Sequence, residues 1–90
     1  MHFDWDENKA RLNLKIHDIS FDEAKTIFDD PLYVDFFDPD HSDSENRYLR
    51  FGMSDQHRLL LVSYTERGDT IRIISARLAT KNERKTYEQA

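Results

Sequence analysis

Lys9, Asn13 and His17 stand four residues apart, the interval that lines side chains along one stripe of a helix. A cation, an amide and an imidazole in such a row have the chemistry to grip a phosphate or pass a proton. The same row is also what a solvated helix edge with a half-buried histidine looks like. Arg67 and Arg77 form a second group, one in a turn beside Gly68 and the other at the end of an apolar run. From such positions guanidinium groups stabilise a phosphorane-like transition state at the rim of a cleft. They are placed equally well for structural salt bridges with Glu66, Asp69 or Glu83. Asp38, Asp40 and His41 offer oxygen and nitrogen donors in a polar loop, but at no compact metal-binding spacing. No Gly-rich phosphate loop, H-E-x-x-H or G-x-S-x-G string occurs, so nucleotide kinases, zincins and α/β-hydrolases have no support.

The elements that must position these groups follow from local signals. His2–Trp5 alternates like a short first strand. Asp6 is an N-cap residue, and a helix runs from it to about His17, with Leu12 and Ile16 as an apolar stripe beside the polar one. Ser20 and Glu23 have capping-box spacing for a second helix, which Pro31 stops. Strands are expected over Leu32–Phe37, Arg47–Met53, His57–Thr65 and Thr70–Leu78, with the longest loop at Asp38–Asn46. In the third of these, Leu60, Val62 and Tyr64 share one face. In the last, Ile71, Ile73, Ser75 and Arg77 are expected on the face opposite Arg72, Ile74 and Ala76. Thr80 and Glu83 form another capping box for a final helix through Tyr87. The order is β-α-α-β-β-β-β-α, an α+β domain with an antiparallel sheet and helices covering one face.

Ninety residues with six Phe, four Tyr and one Trp suffice for one core, so residues 1–90 are expected to form a single domain. The chain has no Cys, which excludes thiolate zinc sites and Cys nucleophiles and suits a reducing cytoplasm. Neither a membrane-spanning run nor a secretory signal is apparent, and no cofactor or metal is expected. The net charge of −5 conceals an asymmetry: residues 1–46 hold four basic and thirteen acidic residues, and residues 47–90 hold nine basic and five acidic ones. An arginine-rich second half is compatible with a nucleic-acid surface, and equally with a solvated sheet face.

Three stretches together resemble the BrnT family, the toxin half of a type II toxin–antitoxin pair in bacteria. They are F-D-W-D-E-N-K-A-R-L-N-L-K-I-H-D-I-S-F-D-E-A from Phe3 to Ala24, D-P-D-H-S-D-S-E-N-R-Y from Asp38 to Tyr48, and R-L-L-L-V-S-Y-T-E-R-G-D-T-I-R-I-I-S-A-R-L-A-T-K-N-E-R-K-T-Y-E from Arg58 to Glu88. The resemblance implies a RelE-like fold and a ribonuclease that blocks translation. It also implies metal-independent cleavage in which the RNA's own 2′-OH attacks the neighbouring phosphate. The implied partner is a cognate antitoxin of ribbon-helix-helix type, in a hetero-oligomer that touches DNA only through the antitoxin. On that reading Arg67 and Arg77 hold the scissile phosphate, Lys9 adds charge, and His17, Glu66 or Tyr64 acts as general base or acid. Two positions depart from the family pattern, which usually has a basic residue before the helix-end His and a Gly after it; here they are Ile16 and Asp18. That substitution leaves open a second reading, a toxin homologue that binds its antitoxin but no longer cuts RNA.

Overall fold

Asp6 opens the first helix by accepting hydrogen bonds from the Asn8 and Lys9 amides at 2.8 and 3.1 Å. That helix, α1, spans Glu7–His17 in a computed structural model that describes residues 1–90. Asp18 closes it in the left-handed conformation, at φ 57°, with its amide donating to the Leu14 carbonyl. Glycine usually takes that position, and Asp is among the few other residues that enter it readily. The departure at Asp18 therefore leaves the helix end intact.

Strand β1 (His2–Asp4) precedes α1, and α2 (Phe21–Thr26) follows it and tightens into a 3₁₀ turn at Ile27–Asp29. Strands β2 (Val34–Asp38), β3 (Arg47–Met53), β4 (Leu59–Arg67) and β5 (Thr70–Leu78) lead to α3 (Lys81–Gln89). The five strands form one sheet in the order β1-β5-β4-β3-β2. Strands β2 to β5 are antiparallel neighbours, as the short links require, and β1 pairs parallel with β5. The fold is α+β, as expected.

One face of the sheet carries the core. Leu60, Val62 and Tyr64 of β4 and Ile71, Ile73 and Ala76 of β5 pack against Ile19, Phe21, Ala24 and Ile27 from the α1–α2 segment. Gly52 lets that segment approach: a Cβ there would lie 2.7 Å from the Cβ of Ile27.

Strand β5 does not alternate as its sequence suggests. A bulge between the Ser63–Ser75 and Tyr64–Ile73 pairs inserts Ile74 as an extra residue. Parity flips at that point, since a one-residue slip exchanges the two faces of a strand. Ile71, Ile73 and Ala76 thus face the core, while Arg72, Ser75 and Arg77 share the opposite face. The expected grouping of Ser75 and Arg77 with Ile71 and Ile73 is corrected by this bulge.

Three further expectations are corrected. Leu12 and Ile16 are not a buried stripe, being 56% and 63% exposed; the residue of α1 turned inward is Asn13. Ser20 Oγ accepts the Glu23 amide at 3.0 Å, but the Glu23 carboxylate does not complete a capping box. It turns inward, buried, to accept from the Ser54 hydroxyl at 2.7 Å and from both Nε and Nη2 of Arg58. Helix α3 does not join α1 and α2 over the core. None of its residues is buried, and it is held by Arg77–Glu83 and by the Tyr87 hydroxyl donating to Asp30 at 2.6 Å. Its capping box at Thr80 and Glu83 is complete.

Candidate active site

Because β1 covers β5 only from Thr70 to Arg72, the outer edge of β5 is open beyond that point. Asn13 closes it. Its Oδ1 accepts from the Ala76 amide at 3.0 Å, and its Nδ2 donates to the Ala76 and Ile19 carbonyls at 2.9 Å each. A single side-chain amide thereby does for Ala76 what a neighbouring strand would do. His17 lies one turn further along α1 on the same stripe and is carried to the sheet face that α1 and α2 leave open.

That face holds a cleft of about 510 Å³, whose lining includes His17, His41, Arg47, Ser63, Ser75 and Arg77. Leu49, Leu61 and Ile74 contribute its apolar floor, and Asp38 lies at its side. Asp38 and His41 come from the end of β2 and the 3₁₀ turn after it, with His41 Nδ1 2.9 Å from Asp38 Oδ2. Two of the three loop donors that the sequence offers as metal ligands, Asp38 and His41, are thus bonded to one another. Arg77 gives a bidentate pair to Glu83, at 2.7 and 2.9 Å. Arg47 lies within 4 Å of no carboxylate oxygen, which leaves its guanidinium free for a ligand.

Of the residues expected from sequence, the fold brings His17 and Arg77 together and leaves the other four elsewhere. Arg67 is on the same sheet face but six residues along β4 from the Leu61 that pairs with Arg77, about 20 Å at strand rise. The two backbones are too far apart for both side chains to grip one phosphate. Lys9 is exposed two turns before His17, about 12 Å along the helix. Glu66 is exposed at the β4–β5 hairpin and pairs with Ile71, on the core-side face. Tyr64 is 1% exposed in the core, its hydroxyl donating to Asp35 at 3.1 Å. Burial pushes that phenol well above its ordinary value, away from any role in proton exchange near neutral pH. The same Asp35 holds Arg50 by two bonds of 2.7 and 2.8 Å, and the Arg50 guanidinium stacks 3.9 Å from the Tyr33 ring.

Arg47 and His41 line the same cleft, and neither is among the catalytic candidates that the sequence offers. In the sequence His41 stands as a weak metal donor and as a position shared with the family's motif, and Arg47 as the start of a strand. What joins them to Arg77 is cross-strand register, which one sequence does not contain.

The sequence profile of the family described as "ribonuclease toxin, BrnT, of type II toxin-antitoxin system" matches residues 5–83. The chain belongs to the BrnT family. Among solved structures it is similar to the Brucella abortus ribonuclease toxin BrnT, whose crystal structure was determined at 1.1 Å resolution. The two share 21% identity over 90% of this chain and 99% of that one, with a TM-score of 0.66. At that identity the likeness establishes the fold. No curated protein sequence matches the chain. Family membership makes this BrnT-type chain a ribonuclease toxin of a type II toxin–antitoxin system, and so implies an RNA target and an antitoxin partner. No helix is long and apolar enough to cross a membrane.

The Arg77–Glu83 pair in this BrnT-family protein has a consequence for pH. Arg77 holds the Glu83 carboxyl down to about 2, against an ordinary value of 4.5. A carboxyl whose folded-state value is depressed stabilises fully above its unfolded value and loses that contribution as the pH falls. Helix α3 is therefore expected to loosen between about pH 4.5 and pH 2, ahead of the sheet. Amide chemical shifts of residues 81–89 followed over that range check this. If they change only together with those of β4 and β5, the pair is not what anchors the helix.

Proposed function

We propose that this protein cleaves RNA without a metal ion, in the cleft between His17, His41, Arg47 and Arg77. The observation that carries the reading is the convergence of two imidazoles and two guanidiniums from four separate elements. Arg77 and Arg47 bind the scissile phosphate and offset the charge that builds on it. One imidazole takes the proton of the 2′-OH as its oxygen attacks the adjacent phosphorus. The other gives a proton to the departing 5′-oxygen. The products are a 2′,3′-cyclic phosphate and a 5′-hydroxyl end. Asp38 makes His41 the better-placed base, because accepting from Nδ1–H fixes the tautomer with Nε2 free to receive a proton. Lys9, Glu66 and Tyr64 have no part in these steps, and Arg67 acts elsewhere.

Family membership supports a biological setting in which the chain is a cytoplasmic toxin that stops growth by blocking translation. A cognate antitoxin of ribbon-helix-helix type neutralises it in a hetero-oligomer, with DNA contacted through the antitoxin alone. A basic antitoxin surface would suit the acidic half of the chain.

Induced expression in bacteria with total RNA inspected on a gel tests the core of this. Growth arrest with RNA fragments is expected, and purified protein should cut RNA undiminished in EDTA. Normal growth with soluble, folded protein would favour the partner-binding homologue instead. Loss of cleavage in EDTA would return Asp38, Asp40 and His41 to consideration as metal ligands.

A further inference from the structure

The bulge at Ile74 does more than aim Arg77. It brings Arg77 to the same open face as Arg72, and Arg47 and Arg67 lie there too, because Arg47 pairs with Thr65 and Thr65 with Arg72 in adjacent registers. Arg67 lies on the same face, two residues beyond Thr65. The cleft accounts for Arg77 and Arg47. Arg67 and Arg72 lie toward the other end of the sheet, with the Thr65 row about 13 Å along β4 from Arg77's partner Leu61.

We propose that Arg67 and Arg72, with Arg47 bridging to the cleft, form an outer subsite for phosphates of the same RNA strand beyond the one that is cut. This rests on the ribonuclease reading and adds a footprint to it. Both guanidiniums already pair with carboxylates: Arg67 with Glu45 at 2.6 and 3.0 Å, and Arg72 with Asp4 at 3.3 Å. These are solvent-exposed pairs, with the Arg67 and Glu45 side chains 50% and 40% exposed and those of Arg72 and Asp4 29% and 50%. Exposed pairs of this kind contribute little to stability, so they are readily exchanged. A phosphate offers the same bidentate geometry in place of the carboxylate. The buried Thr65 supplies the independent sign of a ligand site. Its hydroxyl is the one buried side-chain polar atom with no hydrogen-bond partner, and it sits in register between Arg47 and Arg72. Buried hydroxyls in folded proteins are otherwise nearly always satisfied.

Two consequences separate this from a merely solvated face. A dinucleotide has one phosphate and can occupy only the cleft, whereas a longer strand reaches both places. The carboxylates also compete with RNA, so removing one should tighten binding. The test is fluorescence anisotropy with a labelled mixed-sequence 12-mer whose 2′ oxygens are methylated, so that it binds without being cut. A dinucleotide of the same chemistry serves as competitor. The Arg67→Ala/Arg72→Ala protein should bind the 12-mer about tenfold or more weakly. Its slope of log K against log salt should be shallower by about 1.4, from about 0.7 per lost phosphate contact on a single strand. Its affinity for the dinucleotide should be unchanged, and Arg67→Lys/Arg72→Lys should restore most of the 12-mer binding. Glu45→Gln should tighten the 12-mer severalfold. Equal binding of the 12-mer by wild type and double alanine variant would overturn the subsite, as would equal weakening of 12-mer and dinucleotide. RNA cleavage in cells alongside either result leaves the cleft reading standing and removes only the subsite. Subsite binding with no cleavage in cells does the reverse.

Discussion

Replacing Arg77 by alanine is expected to lower kcat for RNA cleavage by about 10²–10³-fold, or about 2.7–4 kcal/mol of transition-state stabilisation. The expectation rests on where Arg77 sits. It is the guanidinium next to Ser75 and across from Leu61, in the cleft that His17 and His41 enter from opposite sides. Charge that develops on the phosphate as the 2′ oxygen attacks needs a cation beside it, and Arg77 brings one to the cleft wall, where Glu83 occupies it by two bonds until a phosphate takes its place. The same bonds raise a rival explanation, since Arg77→Ala also releases α3. Glu83→Ala distinguishes them, because it frees the helix while keeping the guanidinium. If loosening α3 were the cause, Glu83→Ala would reproduce the loss of kcat. On the cleft reading it cleaves RNA at least as fast as wild type, since the phosphate no longer competes with a carboxylate. Arg77→Lys should recover a fraction of the rate, because it keeps the charge and loses the bidentate geometry. A folded Arg77→Ala protein with an unchanged kcat would remove Arg77 from the reaction.

The same residue marks what sequence could and could not supply. Caps at Asp6, Ser20 and Thr80, and strand edges at Arg47, Met53, Thr70 and Leu78, are local signals, and each appears where the residues put it. The bulge is not local. Thr70–Leu78 is apolar on both faces at its centre, which leaves its parity open, and the slip at Ile74 arises because Ile73 and Ala76 both find room in the core that Tyr64 and Val62 complete. One inserted residue then decides which face Arg77 occupies, and with it the location of the cleft. Tyr64 illustrates the complementary difficulty. Its phenol looks reactive in a list of side chains, yet alternation already places it with Leu60 and Val62 on the apolar face, and burial there disqualifies it. Arg67 and Arg77 look equivalent at the two ends of a hairpin strand, but strand rise separates them by about 20 Å.

Asn13 was legible as one member of the polar stripe on the first helix and illegible as a structural part, and its substitution carries the largest expected loss of stability. Asn13→Asp exchanges one NH₂ for one oxygen. Both donors to Ile19 and Ala76 are lost, and a carboxylate is brought against two carbonyl oxygens that lie 2.9 Å from the original nitrogen. An unpaired buried charge costs about 3–5 kcal/mol, which is a large part of the roughly 5–15 kcal/mol that holds a domain together. Asn13→Ala loses the same two donors and also leaves the Ala76 amide unpaired, about 1–3 kcal/mol for that group, but it buries no charge and so should cost less than Asn13→Asp. The order of the two variants in urea unfolding is therefore fixed: wild type, then Asn13→Ala, then Asn13→Asp. Acid gives the sign of the charge effect. Burial beside carbonyls raises the substituted carboxyl's folded-state value, so its penalty is greatest at neutral pH and shrinks as the pH falls toward protonation. Asn13→Asp should approach Asn13→Ala in stability at about pH 4, where protonation also restores one donor. A variant as stable as wild type at neutral pH would mean that β5 does not depend on this amide to close its edge. Because His17 follows one turn later on the same stripe, the folded fraction of either variant should also cleave RNA more slowly, through an imidazole no longer held at the cleft.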